Sequence, residues 1–396
     1  MRSKLITLTA LAGSSLCAGT GAAQAQVTTL QGLLDAGYNT YVSGNIGSAS
    51  SAYTSDSQGA IAAGGNAYLS NFGASTNATA NGVGVAVGGN LTMTNGSVNG
   101  TADVGGNLLA TSTGLSSVNV GGSMSYLYGQ INGSVNVDGS ASFTGAGVNG
   151  TVAVGGASSF VNAAQPTVTA AAAYVAPINY SAVTANAAAV STALSGMATT
   201  AGDTFGKNAQ GAYVFNSTVA GDNVFNVTAA QMAAMSGSQV LFNSTVAGAT
   251  DIINVVGSGN VALPGNLSFG YTGGMTDSNV LLNMGTASTV QLASNARYDL
   301  SILAPDATVV TSGGNVTGSL IAANLTGNAQ LNLSNSGGVT FSGALPTVGA
   351  SAGSAAPAPM LPPGSSPLGL VVLAWFGRGR LRRLVATVGS RLMTGR

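Results

Sequence analysis

Five stretches of this chain share one pattern of residues: VGVAVGGNLTM (83–93), GTADVGGNLLA (100–110), SSVNVGGSMSY (116–126), GSVNVDGSASF (133–143) and GTVAVGGASSF (150–160). The Gly-Gly or Asp-Gly pairs at their centres follow one another at spacings of 17, 16, 17 and 17 residues. An earlier pair, Gly64-Gly65, lies 24 residues before the first of them. Agreement in spacing and in flanking residues indicates a structural repeat, so we predict coils of about 17 residues.

Each repeat contains two short runs in which apolar and polar residues alternate, one before the glycine pair and one after it. Alternation with period two is typical of β-strands, and so short a unit leaves no room for a helix. The coils are therefore predicted to stack as a parallel β-solenoid in which each coil covers the apolar side chains of the next. One buried column should contain Val87, Val104, Val120, Val137 and Val154.

The glycine pairs are expected at the corners of the coils, because glycine adopts the positive φ of tight turns. The residue after each pair is asparagine or serine in most repeats. We expect this polar column to form a hydrogen-bond ladder, with ligand binding by the same column as the alternative. The predicted corner residues are Gly65, Asn66, Gly89, Asn90, Gly106, Asn107, Gly122, Ser123, Gly139, Ser140 and Gly156.

The repeat ends at Pro166, and a helical pattern follows it. Ser181 is a suitable N-cap, and the apolar residues after it recur in steps of four and three: Val183, Ala187, Val190, Leu194 and Met197. This pattern predicts an amphipathic helix of about 16–18 residues that ends near Gly202 and lies along one solenoid face. Short strands are expected again at 213–215, 224–227, 240–242, 252–256, 280–282 and 290–292.

The first 25 residues have the features of a secretory signal peptide: Arg2 and Lys4, an apolar run from Leu5 to Leu16, and a small-residue cleavage motif that ends at Ala25. Cleavage after Ala25 would send the protein to the cell surface or the extracellular space. It would also remove Cys17, the sole cysteine, so no disulfide is expected.

Charge is scarce throughout the chain. Charged residues make up 5% of the sequence, against about 25% in ordinary globular proteins. Between the signal peptide and Arg378 the basic residues are Lys207 and Arg297, whereas all ten acidic residues, every one an aspartate, lie in this part. A surface without a basic patch excludes nucleic acid as a partner.

Two stretches resemble the ends of a known bacterial domain. LLDAGYNTYVSGNIGS (33–48) with SDSQGAIAAGGNAYLSNFG (55–73) resembles the opening of the choice-of-anchor A domain. SILAPDATVVTSGGNVTGSLIAANLTGNAQLNL (301–333) with FSG (341–343) resembles its closing part. The resemblance implies an exported adhesive domain over residues 26–346, with no catalytic residues to carry over. It also implies an all-β fold similar to ice-binding-like proteins, a right-handed parallel β-solenoid with one α-helix packed alongside.

The C-terminus departs from this family's pattern. Residues 347–367 are predicted to be a Pro/Ala/Ser linker, and residues 368–396 a short apolar and arginine-rich tail. The tail resembles a degenerate PEP-CTERM sorting signal, although the chain contains no glutamate. Its nine apolar residues are too few to span a bilayer. Recognition by sorting machinery, contact with a membrane surface and a nonfunctional tail remain open.

Several residue types that are common in catalytic and metal sites are missing from the sequence. The chain has no histidine and no glutamate, and it has no cysteine after cleavage. These absences exclude Ser-His-Asp and Cys-His nucleophilic sites and zinc sites built on histidine or cysteine. We expect no catalytic, metal or cofactor-binding residues, and therefore a protein that is not an enzyme.

The leading hypothesis is an adhesin-like structural protein that binds an unknown surface ligand, such as polysaccharide, matrix or protein, through a neutral polar solenoid face. The first alternative is an ice-binding protein, which needs a persistent threonine ladder. Thr92 and Thr94 form one Thr-x-Thr pair, but the next coils place Leu109/Thr111 and Ser125/Leu127 at the aligned positions. The second alternative is a β-helix enzyme that acts on polysaccharide.

Overall fold

The computed structural model describes residues 26–335, 338 and 340–348. The predicted signal peptide with its predicted cleavage site at Ala25, most of the predicted 347–367 linker and the predicted 368–396 tail lie outside the described residues. The described chain is built mainly of short strands, most of which pair in parallel with the strand one coil earlier or later. The predicted all-β parallel solenoid is confirmed.

The first part of the chain contains helix α1 (Leu30–Asp35) and the strands of the regular coils. These strands are β1 (Tyr38–Val42), β2 (Tyr53–Asp56), β3 (Ala60–Ala63), β4 (Ala67–Ala74), β5 (Val83–Val87), β6 (Leu91–Val104), β7 (Leu108–Val120), β8 (Met124–Leu127), β9 (Gln130–Ile131), β10 (Val135–Val137), β11 (Ala141–Thr144), β12 (Gly147–Val148), β13 (Val152–Val154), β14 (Ser158–Val161) and β15 (Val168–Thr169).

The second part begins with the long helix α2 (Tyr180–Ser195) and includes the short helix α3 (Ala229–Ala233) and a 3-10 turn (Asp277–Asn279). Its strands are β16 (Thr204–Lys207), β17 (Tyr213–Ser217), β18 (Gly221–Thr228), β19 (Gln239–Ser244), β20 (Ala249–Val256), β21 (Gly259–Ala262), β22 (Ser268–Thr272), β23 (Val280–Asn283), β24 (Ala287–Gln291), β25 (Arg297–Asp299), β26 (Ser301–Val310), β27 (Asn315–Thr317), β28 (Leu320–Thr326) and β29 (Gln330–Asn332). Each short strand predicted for this part overlaps an observed one.

The regular coils have three sides. The strands β3, β5, β6, β7, β10, β13 and β15 pair successively on the first side. On the second side the order is β4, β6, β7, β8, β11 and β14. The third side is formed by parts of β6 and β7 with β9 and β12.

The predicted valine column lies inside the solenoid. Val87 pairs with Val104, Val104 with Val120, Val120 with Val137, and Val137 with Val154. All five are buried, with relative exposures between 0% and 6%. Each coil therefore removes the apolar surface of its neighbours from water, which is the main driving force for stacking.

The two ends of the domain meet in the middle of the stack. Strand β1 pairs in parallel with β3 on one edge and with β28 on its other edge. Thr40, for example, aligns with both Ile61 and Leu320. The second part of the chain therefore forms its own stack, β18–β20–β23–β26–β28, which continues that of the first part through β1.

The first coils of the second part are longer than predicted from the repeat, whereas the last ones, such as the step from Ile302 to Leu320, return to about the predicted length. Asn226, Asn254 and Asn283 occupy successive coils at separations of 28 and 29 residues. At the outer edge of this part, β16 pairs antiparallel with β17, and the Phe205 ring stacks on Phe215 with centroids 4.5 Å apart. The antiparallel strand covers the edge of β17, so this end of the stack does not offer an open parallel strand to another chain.

Helix α2 lies where the sequence places it, but its boundaries differ. Its N-cap is Asn179, whose side chain accepts a hydrogen bond from the Ala182 N–H at 3.1 Å, whereas Ser181 lies inside the first turn. The helix ends at Ser195, well before the predicted Gly202. Its apolar face packs against Tyr41, Ile252 and Leu303, among others. The prediction of one helix also missed the short helices α1 and α3.

A row of three asparagine side chains on successive strands donates hydrogen bonds to carbonyls at the C-terminal end of α2. Asn283 donates to the Ser191 carbonyl at 3.0 Å, and Asn254 donates to the Leu194 carbonyl at 2.7 Å. Asn226 donates to the Met197 carbonyl, just beyond the helix, at 3.1 Å. The asparagine side chains of three successive strands thus hold the last turn of the helix against the second part of the stack. No described helix is long and apolar enough to cross a membrane.

Candidate functional site

The predicted corner residues form one continuous hydrogen-bond ladder. The side-chain oxygen of each asparagine or serine accepts a hydrogen bond from the backbone N–H of the equivalent residue in the next coil. Asn90 N–H binds Asn66 Oδ1 at 2.8 Å, and Asn107 N–H binds Asn90 Oδ1 at 2.7 Å. The later steps are Ser123 to Asn107 at 2.8 Å, Ser140 to Ser123 at 3.2 Å and Ala157 to Ser140 at 3.2 Å.

The ladder extends beyond the residues that the repeat identifies. The Asn66 N–H binds Asn45 Oδ1 at 2.7 Å, and the Asn45 N–H binds Asn324 Oδ1 at 2.9 Å. The column therefore crosses the junction between β28 and the first coil. A sequence signal was available, because Asn45 follows a glycine and precedes an apolar residue, as the other ladder asparagines of the repeats do.

The glycines serve a purpose other than the one predicted. None of the predicted corner glycines has a positive φ. Instead, the ladder oxygen of the preceding coil occupies the place of the missing Cβ: a Cβ on Gly106 would lie 2.6 Å from Asn90 Oδ1. On Gly122 it would lie 2.5 Å from Asn107 Oδ1. Glycine is therefore required at these corners for close approach between coils.

Positive φ occurs at the second corner of each coil, where the chain turns from the second side to the third. This corner lies five residues beyond the ladder position, within or just after the strands β4, β6, β7, β8, β11 and β14. The residues there are Asn71, Asn95, Ser112, Tyr128, Gly145 and Asn162, with φ between 50° and 58°. Most of them carry side chains, so the search for glycine pairs does not find this corner. Asparagine tolerates the left-handed conformation better than most residues.

The ladder leaves a row of amide groups available. In each ladder asparagine Oδ1 is used by the next coil, whereas no hydrogen bond among the described residues uses the Nδ2 of Asn45, Asn66, Asn90 or Asn107. Asn45, Asn90 and Asn107 are exposed, and Asn66 is half-buried. Each Nδ2 is a donor of two hydrogens.

A shallow groove of about 590 Å³ runs beside this row over four coils. Its lining includes Asn90 and Asn107 of the ladder together with Tyr68, Thr92 and Leu109. The last three are aligned in successive coils, and they alternate with buried residues along their strands, so they point outward. We call the ladder asparagines and this groove together the ladder face.

The first side of the coils is occupied by other parts of the chain. Helix α2 covers it near β1, and residues 170–178, which we call the strap, cross it near β10. The strap is held by side chains: Asn136 Oδ1 accepts from the Ala172 N–H at 2.9 Å, and Tyr174 donates to Asp103 at 2.6 Å. This side is therefore not free to bind a large ligand, unlike the ladder face.

Asp103 is the most buried charged group beneath the strap, with 6% exposure. Burial raises the pKa of the Asp103 carboxyl, and hydrogen bonds from Tyr174 and Asn119 oppose this effect. Burial and the nearby Asp103 carboxylate also raise the pKa of Tyr174, so the phenol remains a donor. No motif in the sequence indicates this contact, which joins residues 71 positions apart.

A second buried carboxyl lies between β17 and β20. Asp251 is fully buried, and Ser217 donates a short hydrogen bond to its Oδ1. Burial raises the pKa of Asp251 to about 7, with a smaller contribution from Asp203 in the same direction. Asp251 does not line the groove beside the ladder, so it belongs to the core and not to the ladder face.

The ladder face presents neutral groups, and the described residues form no metal site. Among the described residues there is no group of three or more His, Cys, Asp or Glu that could hold a metal ion. Arg297 is bound to Asp299 with Nε and Oδ1 2.7 Å apart. The residues of the ladder face are neutral, so what this surface offers is amide donors, hydroxyl groups and apolar contact.

Comparison with known proteins places the solenoid in a family. The model of the family described as "Putative Ice-binding-like adhesive domain" matches residues 84–333. The chain belongs to this family. The coils that carry Asn90, Asn107 and Ser123 lie inside the matched region.

No curated protein matches the chain. One similar solved structure is the crystal structure of an ice binding protein from an Antarctic bacterium of the Flavobacteriaceae, at 13% identity and a TM-score of 0.27, covering 78% of this chain and 98% of that chain.

Proposed function

We propose that this protein is an exported, non-catalytic adhesin that binds its ligand through the ladder face. The observation that carries the proposal is the contrast between two sides of the same coils. The first side is covered by α2 and the strap, whereas the ladder face presents free amide donors beside a groove of about 590 Å³. Membership of an adhesive-domain family supports the same function.

A charged side chain placed in the groove tests this proposal. Leu109 lies in the groove and is 45% exposed, so Leu109→Arg should fold normally and disturb the binding surface. Val161 is a matched control: it is 51% exposed on β14, at the end of the same side, and it does not line the groove. We expect beads coated with Leu109→Arg protein to lose most of their attachment to cells and matrix of the producing bacterium, and Val161→Arg beads to retain it.

Equal attachment of both variants would show that the ladder face is not the binding surface. The same protein samples serve for an ice-recrystallisation assay. In register, the outward threonines Thr92 and Thr94 give way to Leu109 and Leu127 within two coils. A persistent threonine ladder is therefore missing, and we expect no inhibition of recrystallisation. Clear inhibition that is lost in Leu109→Arg would replace adhesion by ice binding.

We further propose that the chain is of the choice-of-anchor A type and that residues 368–396 serve localisation alone. The packed part of the described chain extends to Val348, which contacts the cluster around α1 and α2, two residues beyond the predicted boundary. A chain that stops after Val348 should therefore keep its unfolding temperature and move from the cell envelope to the medium. Fractionation and thermal denaturation check both points. Loss of folding, or an unchanged location, would contradict this division.

A further inference from the structure

The ladder face repeats the same donor at the same place in each coil. Asn45, Asn66, Asn90 and Asn107 occupy four successive coils, each with Oδ1 engaged by the next coil and with no hydrogen bond from Nδ2 to any described residue. Stacked strands are about 4.8 Å apart, so the Nδ2 groups form a row parallel to the solenoid axis with about that repeat. A ligand that uses all of them must itself present acceptors at regular intervals along an extended chain.

The groove beside the row adds contacts of a second kind. Tyr68 supplies an aromatic ring, Leu109 an exposed aliphatic surface, and Thr92 and Ser125 supply hydroxyl groups. An alternation of apolar surface and hydroxyl groups complements a sugar ring, which has C–H faces and a polar rim. Aromatic side chains that combine large apolar area with a polar tip are suited to such ligands.

The lack of charge on the ladder face argues against an anionic polymer. None of the described residues that line the groove is charged. Lys207 lies on β16 at the far end of the stack, and Arg297 is bound to Asp299, so neither is available to a polyanion on the ladder face. An anionic chain would lose its hydration without gaining a counter-charge, which is costly. A neutral chain has no such penalty.

We propose that the ladder face binds an uncharged polysaccharide whose chain lies along the solenoid axis, with its hydroxyl and acetal oxygens accepting hydrogen bonds from the row of Nδ2 groups. This inference rests on the proposed function and names its ligand class. It assigns the ladder asparagines two separate tasks: Oδ1 joins the coils, and Nδ2 binds the ligand.

The chain offers its own substitution for separating these tasks. Ser123 continues the ladder with a hydroxyl oxygen in place of an amide oxygen, at 3.2 Å to the next N–H. Asn90→Ser/Asn107→Ser should therefore keep the coils joined and remove two Nδ2 groups from the row, leaving a shorter hydroxyl group at each position. The matched control is Asn132→Ser/Asn149→Ser, because these exposed asparagines lie in adjacent coils near another corner, with Asn149 Nδ2 3.3 Å from Asn132 Oδ1.

The full chain is tested against immobilised neutral polysaccharides (a β-glucan, an α-glucan and a mannan) and against alginate as the anionic comparison. We expect binding to at least one neutral polysaccharide and none to alginate. Loss of two hydrogen bonds should weaken that binding about tenfold in Asn90→Ser/Asn107→Ser. The control variant should bind as the unmodified protein does, and both should unfold at nearly the same temperature as it.

The outcomes separate this inference from the proposed function. Attachment to cells that depends on Leu109, without binding to any polysaccharide, would overturn the ligand class and leave adhesion standing, with a protein ligand as the next candidate. Preference for alginate would overturn the neutral ligand. Unchanged binding by the folded Asn90→Ser/Asn107→Ser protein, or equal weakening in the control, would overturn the role of the Nδ2 row.

Discussion

At the scale of single residues, the buried carboxyl of Asp251 makes stability depend on pH. The folded protein raises its pKa to about 7, mainly by burial, whereas in the unfolded chain it returns to its ordinary value near 4. The folded state therefore holds the proton more tightly, and the resulting stabilisation is complete below pH 4 and is lost as the pH rises towards 7. We expect the unfolding temperature to fall over this range.

Asp251→Asn should remove much of this dependence, because the amide keeps an acceptor for Ser217 and cannot ionise. Asp306→Asn, at an exposed position of β26, is the control and should leave the slope unchanged. Burial also raises the pKa values of Asp103 and Asp222, so a smaller slope of the same sign should persist. Thermal denaturation at several pH values between 4 and 8 measures the effect. An unchanged slope in Asp251→Asn would show that this carboxyl is not the cause.

At the scale of elements, the regular coils could be predicted because local pattern and tertiary contact coincide in them. Val120 is buried by the same valines that precede and follow it in the repeat, so the sequence period is also the packing period. The ladder follows for the same reason. The N-cap of α2 could not be chosen in this way, since Asn179 and Ser181 both suit the position. The decision comes from the pairing of Val27 with Ile178, which fixes where the helix starts.

The longer coils of the second part escaped prediction because inserted elements lengthen each coil well beyond the 17-residue period of the glycine pairs. Helix α3 follows β18 directly, with a capping box between Thr228 and Gln231, and the strand that comes next belongs to a different sheet. Side chains in this part still align in register, as Asn226, Asn254 and Asn283 do beneath α2. A sequence signal was available, because FNSTVAG occurs at 215–221 and again at 242–248, and these two copies pair in register on β17 and β19. A search centred on glycine pairs at 17-residue spacing does not find this longer repeat.

At the scale of the whole molecule, the solenoid closes on its own termini. Strand β1 lies between β3 and β28, so the first and the last coil of the chain are neighbours in the middle of the stack. Residues about 280 positions apart share main-chain hydrogen bonds and side-chain contacts, for example Tyr53 Oη with the Ala329 carbonyl at 2.8 Å. No repeat in the sequence encodes this neighbourhood, although the resemblance of both ends to one domain is consistent with it.

Because β1 joins the two parts of the stack, we predict that they stay together when the chain is cut between β14 and β15. A protease recognition sequence inserted after Gln165 lies in the exposed connection between β14 and β15, outside every ladder pairing. The fragments on either side should remain bound through β1–β28, through Tyr41 Oη and the Tyr180 carbonyl at 2.9 Å, and through the strap contacts to Asp103. Size-exclusion chromatography of the cleaved protein should show one species at the uncut elution volume, which separates into two after denaturant is added. Two species without denaturant would mean that the stack does not join its ends through β1.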